Sequence, residues 1–214
     1  VHLVGRIYFH LVENKRQDYP FAFLATYSTH IDKQGKSKHL PLKHALTEYG
    51  KDSGKLLELL STVHLAAKES DHISHLLDSG ELFHPLAWDE KEAYRFLKEI
   101  PIYEKYGILC RIPNWWKPAS SPCKVHIQLG GKTESLVGMD AVLDFRVDLL
   151  LDDVPITEEE ARRLLEEADG LAYIKGKWIS VDAVKLKQTL DAYASARKLI
   201  EAKNLIVRHA LRLQ

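Results

Sequence analysis

The stretch "MDAVLDFRVDLLLDDVPITEEEARRLLEEADGLAYIKGKWISVD" (139–182) changes its apolar period twice. In its first part Leu143, Phe145, Val147 and Leu149 alternate with Asp144, Arg146 and Asp148, which is a half-buried strand. Then "PITEEEARRLLEEADG" (155–170) announces a helix: Thr157 caps it, Glu160 completes a capping box, and Gly170 ends it. "LAYIKGKWISVD" (171–182) returns to strands as a hairpin about Lys175-Gly176. Strand, helix and hairpin within so short a span decide for an α+β fold, with strand hairpins and a mixed or antiparallel sheet interleaved with helical blocks.

The same interleaving runs outward in both directions. From Asp182 the pattern is helical to the end, with Val184, Leu186, Leu190, Tyr193 and Leu199 as its apolar stripe. Towards the N-terminus, "CKVHIQLGGKTES" is a strand ending in a Gly-Gly turn. "GRIYFHLVE" (5–13) and "PFAFLATYS" (20–28) read as a hairpin or two neighbouring strands, and 29–40 as a polar loop about Gly35. Residues 41–79 are helical, with Leu56, Leu57, Leu59, Leu60, Val63 and Ala67 on one broad face. Another capping box, Asp89 with Glu92, opens a helix expected to stop near Ile100 because Pro101 follows. A strand is expected at about 107–112.

The chain has 214 residues, room for one large domain or two small ones, and 45% of them are hydrophobic, enough for a real core. Thirty basic residues balance thirty acidic ones, so any contact with DNA must be local. Charge is uneven: residues 51–100 hold 6 Lys+Arg against 10 Asp+Glu, and residues 193–214 hold 5 against 1. No run approaches the ~20 apolar residues of a membrane span, no signal peptide is visible, and the expected location is cytoplasmic. The chain opens at Val1 inside a strand-like pattern and closes inside a helical one at "IVRHALRLQ", so it reads as part of a longer polypeptide.

Several motifs invite chemistry. "GGKT" (130–133) lacks the first glycine of a phosphate loop, whose place is taken by His126, and sits in a strand-turn-strand setting. His72 and His75 of "DHISH" stand one helical turn apart, with His64 further up, but no glutamate follows the first as in a zincin. Asp140, Asp144 and Asp148 share one strand face with Arg146, a pattern of a solvated face more than of a metal-dependent nuclease. Cys110 and Cys123 read as reduced thiols that could meet if the strands beside them pair; two thiols cannot close a zinc site. No cofactor is expected.

"RIPNWWKP" (111–118) raises the sharpest question. Trp115 and Trp116, with Arg111, Lys117 and Lys124 nearby, could stack on nucleotide bases or plug a core. Adjacent side chains on extended backbone point opposite ways, so one ring in and one ring out is the expectation.

The words "PFAFLATYSTHI", "LLELLSTVHLAA", "SGELFHPLAWDEKEAYRFLKEIPIYEKYGILCRIPNWWK" and "GMDAVLDFRVDLLLDDVPITEEEARRLLEEADGLAYIKGKW" together resemble the helicase-associated domain of bacterial SWI/SNF-type ATPases. The resemblance runs from about Ile7 to about Lys198. It implies a single accessory domain over 1–214, with sub-blocks 1–105 and 106–214, set before a two-lobed DNA-dependent ATPase whose own motifs are absent here. It implies no catalytic residues. The implied role is a non-catalytic module that docks on the motor lobes of its own polypeptide and gates them, or guides DNA. A platform for an unknown protein partner, using the acidic 51–100 helices, is the alternative; a nuclease is the third. The candidate contact residues are Arg111, Trp115, Trp116, Lys117, Lys124, Arg197, Lys198 and Lys203.

Overall fold

Two aromatic, alternating runs near the N-terminus organise the first sheet. β1 (Ile7–Glu13) pairs antiparallel with β2 (Phe21–Ile31), in a register that sets Phe9 opposite Ala25 and Leu11 opposite Phe23. Ile7, Phe9, Leu11, Phe21, Phe23, Ala25 and Tyr27 therefore share one buried face, as a side-chain period of two requires. The computed structural model describes residues 5–16, 18–31, 37–117, 123–129, 145–167 and 170–212. Contacts divide the chain into two compact units, Val1–Pro118 and Ala119–Gln214.

In the first unit, β2 runs on to Ile31, and β3 (Ser37–Pro41) pairs with it across a bulge between Ser28 and Ile31. The polar segment expected as a loop over 29–40 is thus largely edge strand; its residues 32–36 lie outside the described residues. The chain then forms α1 (Lys43–Glu48), α2 (Ser53–Ala67) and α3 (Asp71–Ser79). α2 buries Leu59, Leu60, Val63 and Ala66, a narrower face than expected, and Leu57 is exposed. β4 (Leu86–Trp88) adds antiparallel to the Phe21–Phe23 end of β2.

α4 (Glu90–Lys105) starts at the expected capping box but passes through Pro101 instead of stopping before it. The proline removes one amide donor, and it sits on the exposed side. Two residues on, Tyr103 is fully buried among Phe9 and Phe96, so core packing carries the helix past the lost bond. The helix closes at Gly107, whose φ of 86° is left-handed, with the Ile108 N–H bonded to the Tyr103 carbonyl at 3.0 Å. β5 (Leu109–Arg111) then pairs parallel with β1, which is why it belongs to the first unit.

The second unit is a three-stranded antiparallel sheet of β6 (Cys123–Leu129), β7 (Phe145–Leu151) and β8 (Val154–Ile156). α5 (Glu158–Glu167) carries the Thr157/Glu160 box as expected, with both bonds at 3.1 Å. β9 (Gly170–Ile174) and β10 (Lys177–Val181) form the hairpin about Lys175 and Gly176, both at positive φ. α6 (Ala183–Arg212) follows without a break. Leu186 and Leu190 of α6 join Cys123, Leu149, Leu151, Ile156, Ala161, Ile179 and Val181 in one core. Val184 and Leu199, expected in the stripe, are exposed instead. The α+β class read from the sequence is what the chain adopts.

Candidate functional site

The tryptophan loop follows directly from β5 and turns at Asn114 and Trp115, so strict alternation does not hold there. Both indoles are partly buried, not one in and one out. The Trp115 ring lies 6.1 Å from that of Phe21, and its Nε1–H donates to the Glu13 carboxylate. Trp116 stands edge-on to Tyr94 of α4 at 6.2 Å. Each ring has a protein partner, and Trp115 has a carboxylate beside it, which repels a phosphate. The guanidinium of Arg111 lies 5.2 Å over the Tyr8 ring on the other face of the sheet. Tyr8 meets His39 edge-on at 4.4 Å, and His10 shares a 2.8 Å hydrogen bond with Thr26. Burial, then the charge of Arg111, holds His10 below the ordinary imidazole value. Lys117 is exposed.

Lys124, Arg197, Lys198 and Lys203 belong to the second unit. Lys124 borders a shallow groove on β6 and α6 with Lys185, Gln188 and Thr189. Arg197 is engaged: it pairs with Glu201 at 3.1 Å and with Glu158 of α5 at 3.3 Å. Lys198 and Lys203 are on the exposed side of α6. The strands beside the loop pair elsewhere, β5 with β1 and β6 with β7, and neither cysteine is in a disulfide. Burial, then Glu104, pushes the Cys110 thiol up to about 12. "GGKT", Asp140 and Asp144 lie outside the described residues. Among the described residues no group of three or more histidines, cysteines and carboxylates could hold a metal ion.

One feature the sequence hinted at only through "DHISH" and "FHPLAW" is a cavity of about 460 Å³. α3 supplies His72, His75 and Leu76; β4 supplies Leu86, Ala87 and Trp88; α4 supplies Lys91, Glu92 and Arg95; Glu81 stands at the rim. The His72 imidazole is 8% exposed, packs 5.1 Å from Trp88, and leaves Nε2 buried without a hydrogen-bond partner. Burial, then Arg95, keeps its pKa below the ordinary value, so it is neutral at pH 7. The signal in the sequence was the histidine pair; the lysine, the arginine and the strand edge came to it only through the packing of α3 and β4 on α4.

Residues 81–214 match the family described as "SNF2 Helicase protein". The chain belongs to that family. The matched segment takes in β4, α4, the tryptophan loop and the whole second unit, and it agrees with the resemblance carried by the sequence motifs. The SNF2 family chain is also similar to the "Putative ATP-dependent helicase/translocase YwqA" of Bacillus subtilis (strain 168), at 30% identity over 103 residues. That match covers 46% of this chain and 11% of the relative, so the chain spans a small part of the curated relative's length. No solved structure matches it significantly.

Proposed function

We propose that this chain is a non-catalytic accessory module of a SWI/SNF-type DNA translocase, and that it acts by docking on the motor lobes of its own polypeptide and gating them. The supporting observation is α6. Its 30 residues make a rod about 45 Å long. The first turns are buried in the second unit through Leu186 and Leu190, whereas Leu199, Leu205 and Ile206 are 72%, 66% and 69% exposed. Leu199 and Ile206 lie two turns apart on one side, which makes an apolar stripe with basic residues around it. A motor lobe carried on the same polypeptide is the partner that this stripe suits. No described helix is long and apolar enough to cross a membrane, and the module works in the cytoplasm beside its DNA-bound motor.

The test is a triple change, Leu199→Glu, Leu205→Glu and Ile206→Glu, in the full polypeptide that carries this chain and the motor. All three side chains are exposed, so the fold of the module should be retained. Docking predicts at least a threefold change in DNA-stimulated ATPase rate or in the DNA concentration for half-maximal stimulation. An unchanged rate and DNA dependence would sink the gating reading. Lys198 favours a second reading, a guide for DNA, because its ammonium stands exposed on α6. Lys198→Glu together with Lys203→Glu would then weaken DNA binding and lower its salt dependence.

A further inference from the structure

We propose that the cavity between α3, β4 and α4 binds an extended acidic segment of a protein partner, added as a strand to the free edge of β4, with one carboxylate held by Arg95 and Lys91. This goes beyond the motor contact made by α6, because it lies in the other unit and calls for a different ligand.

Three observations converge on it. The first is the strand edge. Among the described residues β4 pairs with β2 alone. An antiparallel strand turns alternate backbone groups to each side, so the other side of β4 keeps donors and acceptors for a further strand. All three of its residues line the cavity, and Ala87 is exposed there.

The second is charge. Lys91 and Arg95 stand one turn apart on α4 and face the cavity together. Among the described residues neither forms an ion pair, whereas the acids nearby are occupied. Glu92 accepts the Asp89 N–H at 3.0 Å in the helix cap, and burial holds its carboxyl above the usual value. Glu81 accepts from the Ser79 hydroxyl at 3.3 Å. A carboxylate entering between Lys91 and Arg95 would find two cations that have no salt bridge among the described residues, one of them able to bind it with two parallel hydrogen bonds.

The third is the floor. Leu76, Leu86 and Trp88 line the cavity and give the alternate side chains of a peptide lying on β4 an apolar base. Nucleic acid suits the cavity less well. A phosphate backbone has no apolar side chain for the floor made by Leu76, Leu86 and Trp88.

The experiment uses the intact chain and three fluorescein-labelled probes: an octapeptide alternating glutamate and valine, the same peptide with lysine for glutamate, and a single-stranded oligonucleotide. Anisotropy should show saturable binding of the glutamate peptide. Arg95→Glu should weaken it at least tenfold, and Leu57→Glu, an exposed α2 change outside the cavity lining, should leave it within twofold. The lysine peptide should bind at least tenfold more weakly than the glutamate peptide. No saturable binding of the glutamate peptide overturns the proposal. So does equal binding of the lysine peptide, or oligonucleotide binding that depends on Arg95 while peptide binding does not.

Discussion

Replacing Trp115 with alanine separates a structural indole from a base-stacking one. The ring is partly buried against Phe21 and its Nε1–H is bonded to Glu13. An aromatic side chain buries about 150–250 Å² when fully covered. Half of that, at ~25 cal/mol per Å², gives about 2–3 kcal/mol for the lost burial. The tilted contact with Phe21 adds about 0.5 kcal/mol. The hydrogen bond adds little, because Glu13 is exposed and water replaces the indole when it leaves. Trp115→Ala should therefore cost about 2.5–3.5 kcal/mol, and Trp115→Phe, which keeps most of the area, less than ~1 kcal/mol. The assay is urea unfolding followed by circular dichroism, paired with DNA titration of both variants at low salt. A Trp115→Ala protein that keeps wild-type stability while its DNA affinity falls would refute the reasoning and make the loop a stacking surface.

Three further outcomes follow from the packing. His72 and His10 both have folded-state values below the ordinary 6.5, so the unfolded chain binds protons more readily. Their contribution is present above pH ~6.5 and is lost as pH falls from there through their folded values, so the urea midpoint should drop on acidification. His72→Gln should flatten that dependence. Pro101→Ala restores an amide donor inside α4 and should raise stability by about 1–2 kcal/mol, less than the full cost of an interior proline because the unfolded chain also gains freedom. Cys110, with its thiol raised to about 12, should react with iodoacetamide at pH 8 far more slowly in the folded chain than in urea.

Much of the architecture was legible because local signals and final structure agree. The two capping boxes, Asp89/Glu92 and Thr157/Glu160, open α4 and α5 as their spacing says, and the Lys175-Gly176 hairpin forms as read. Local signals misled where tertiary packing decides. Pro101 marks a helix stop on steric grounds, yet Tyr103 is worth more in the aromatic core than the lost bond. The polar run after Thr29 has no apolar alternation, because β3 is an edge strand with little to bury. The partly buried setting of Trp115 depends on Glu13, 102 residues away, and no window of sequence contains both. The cavity likewise joins two helices and a strand whose shared wall exists only after they pack. Arg197, chosen for its charge, is held by Glu158 and Glu201, a pairing that turns on the contact of α5 with α6.

The parallel pairing of β1 with β5 has a consequence for how the molecule is made. β1 leaves the ribosome before β5, finds β2 within a few residues, and then waits for Leu109–Arg111 to fill its other side. Loop closure over so long a separation is slow compared with hairpin formation. Until Leu109–Arg111 emerges the nascent sheet thus carries one unpaired margin rich in aromatic residues, the kind of template on which a second nascent chain can add. Truncations that end before Leu109 should aggregate, and the same chains extended through Arg111 should not. The short "LCR" strand is the latch that ends the exposure.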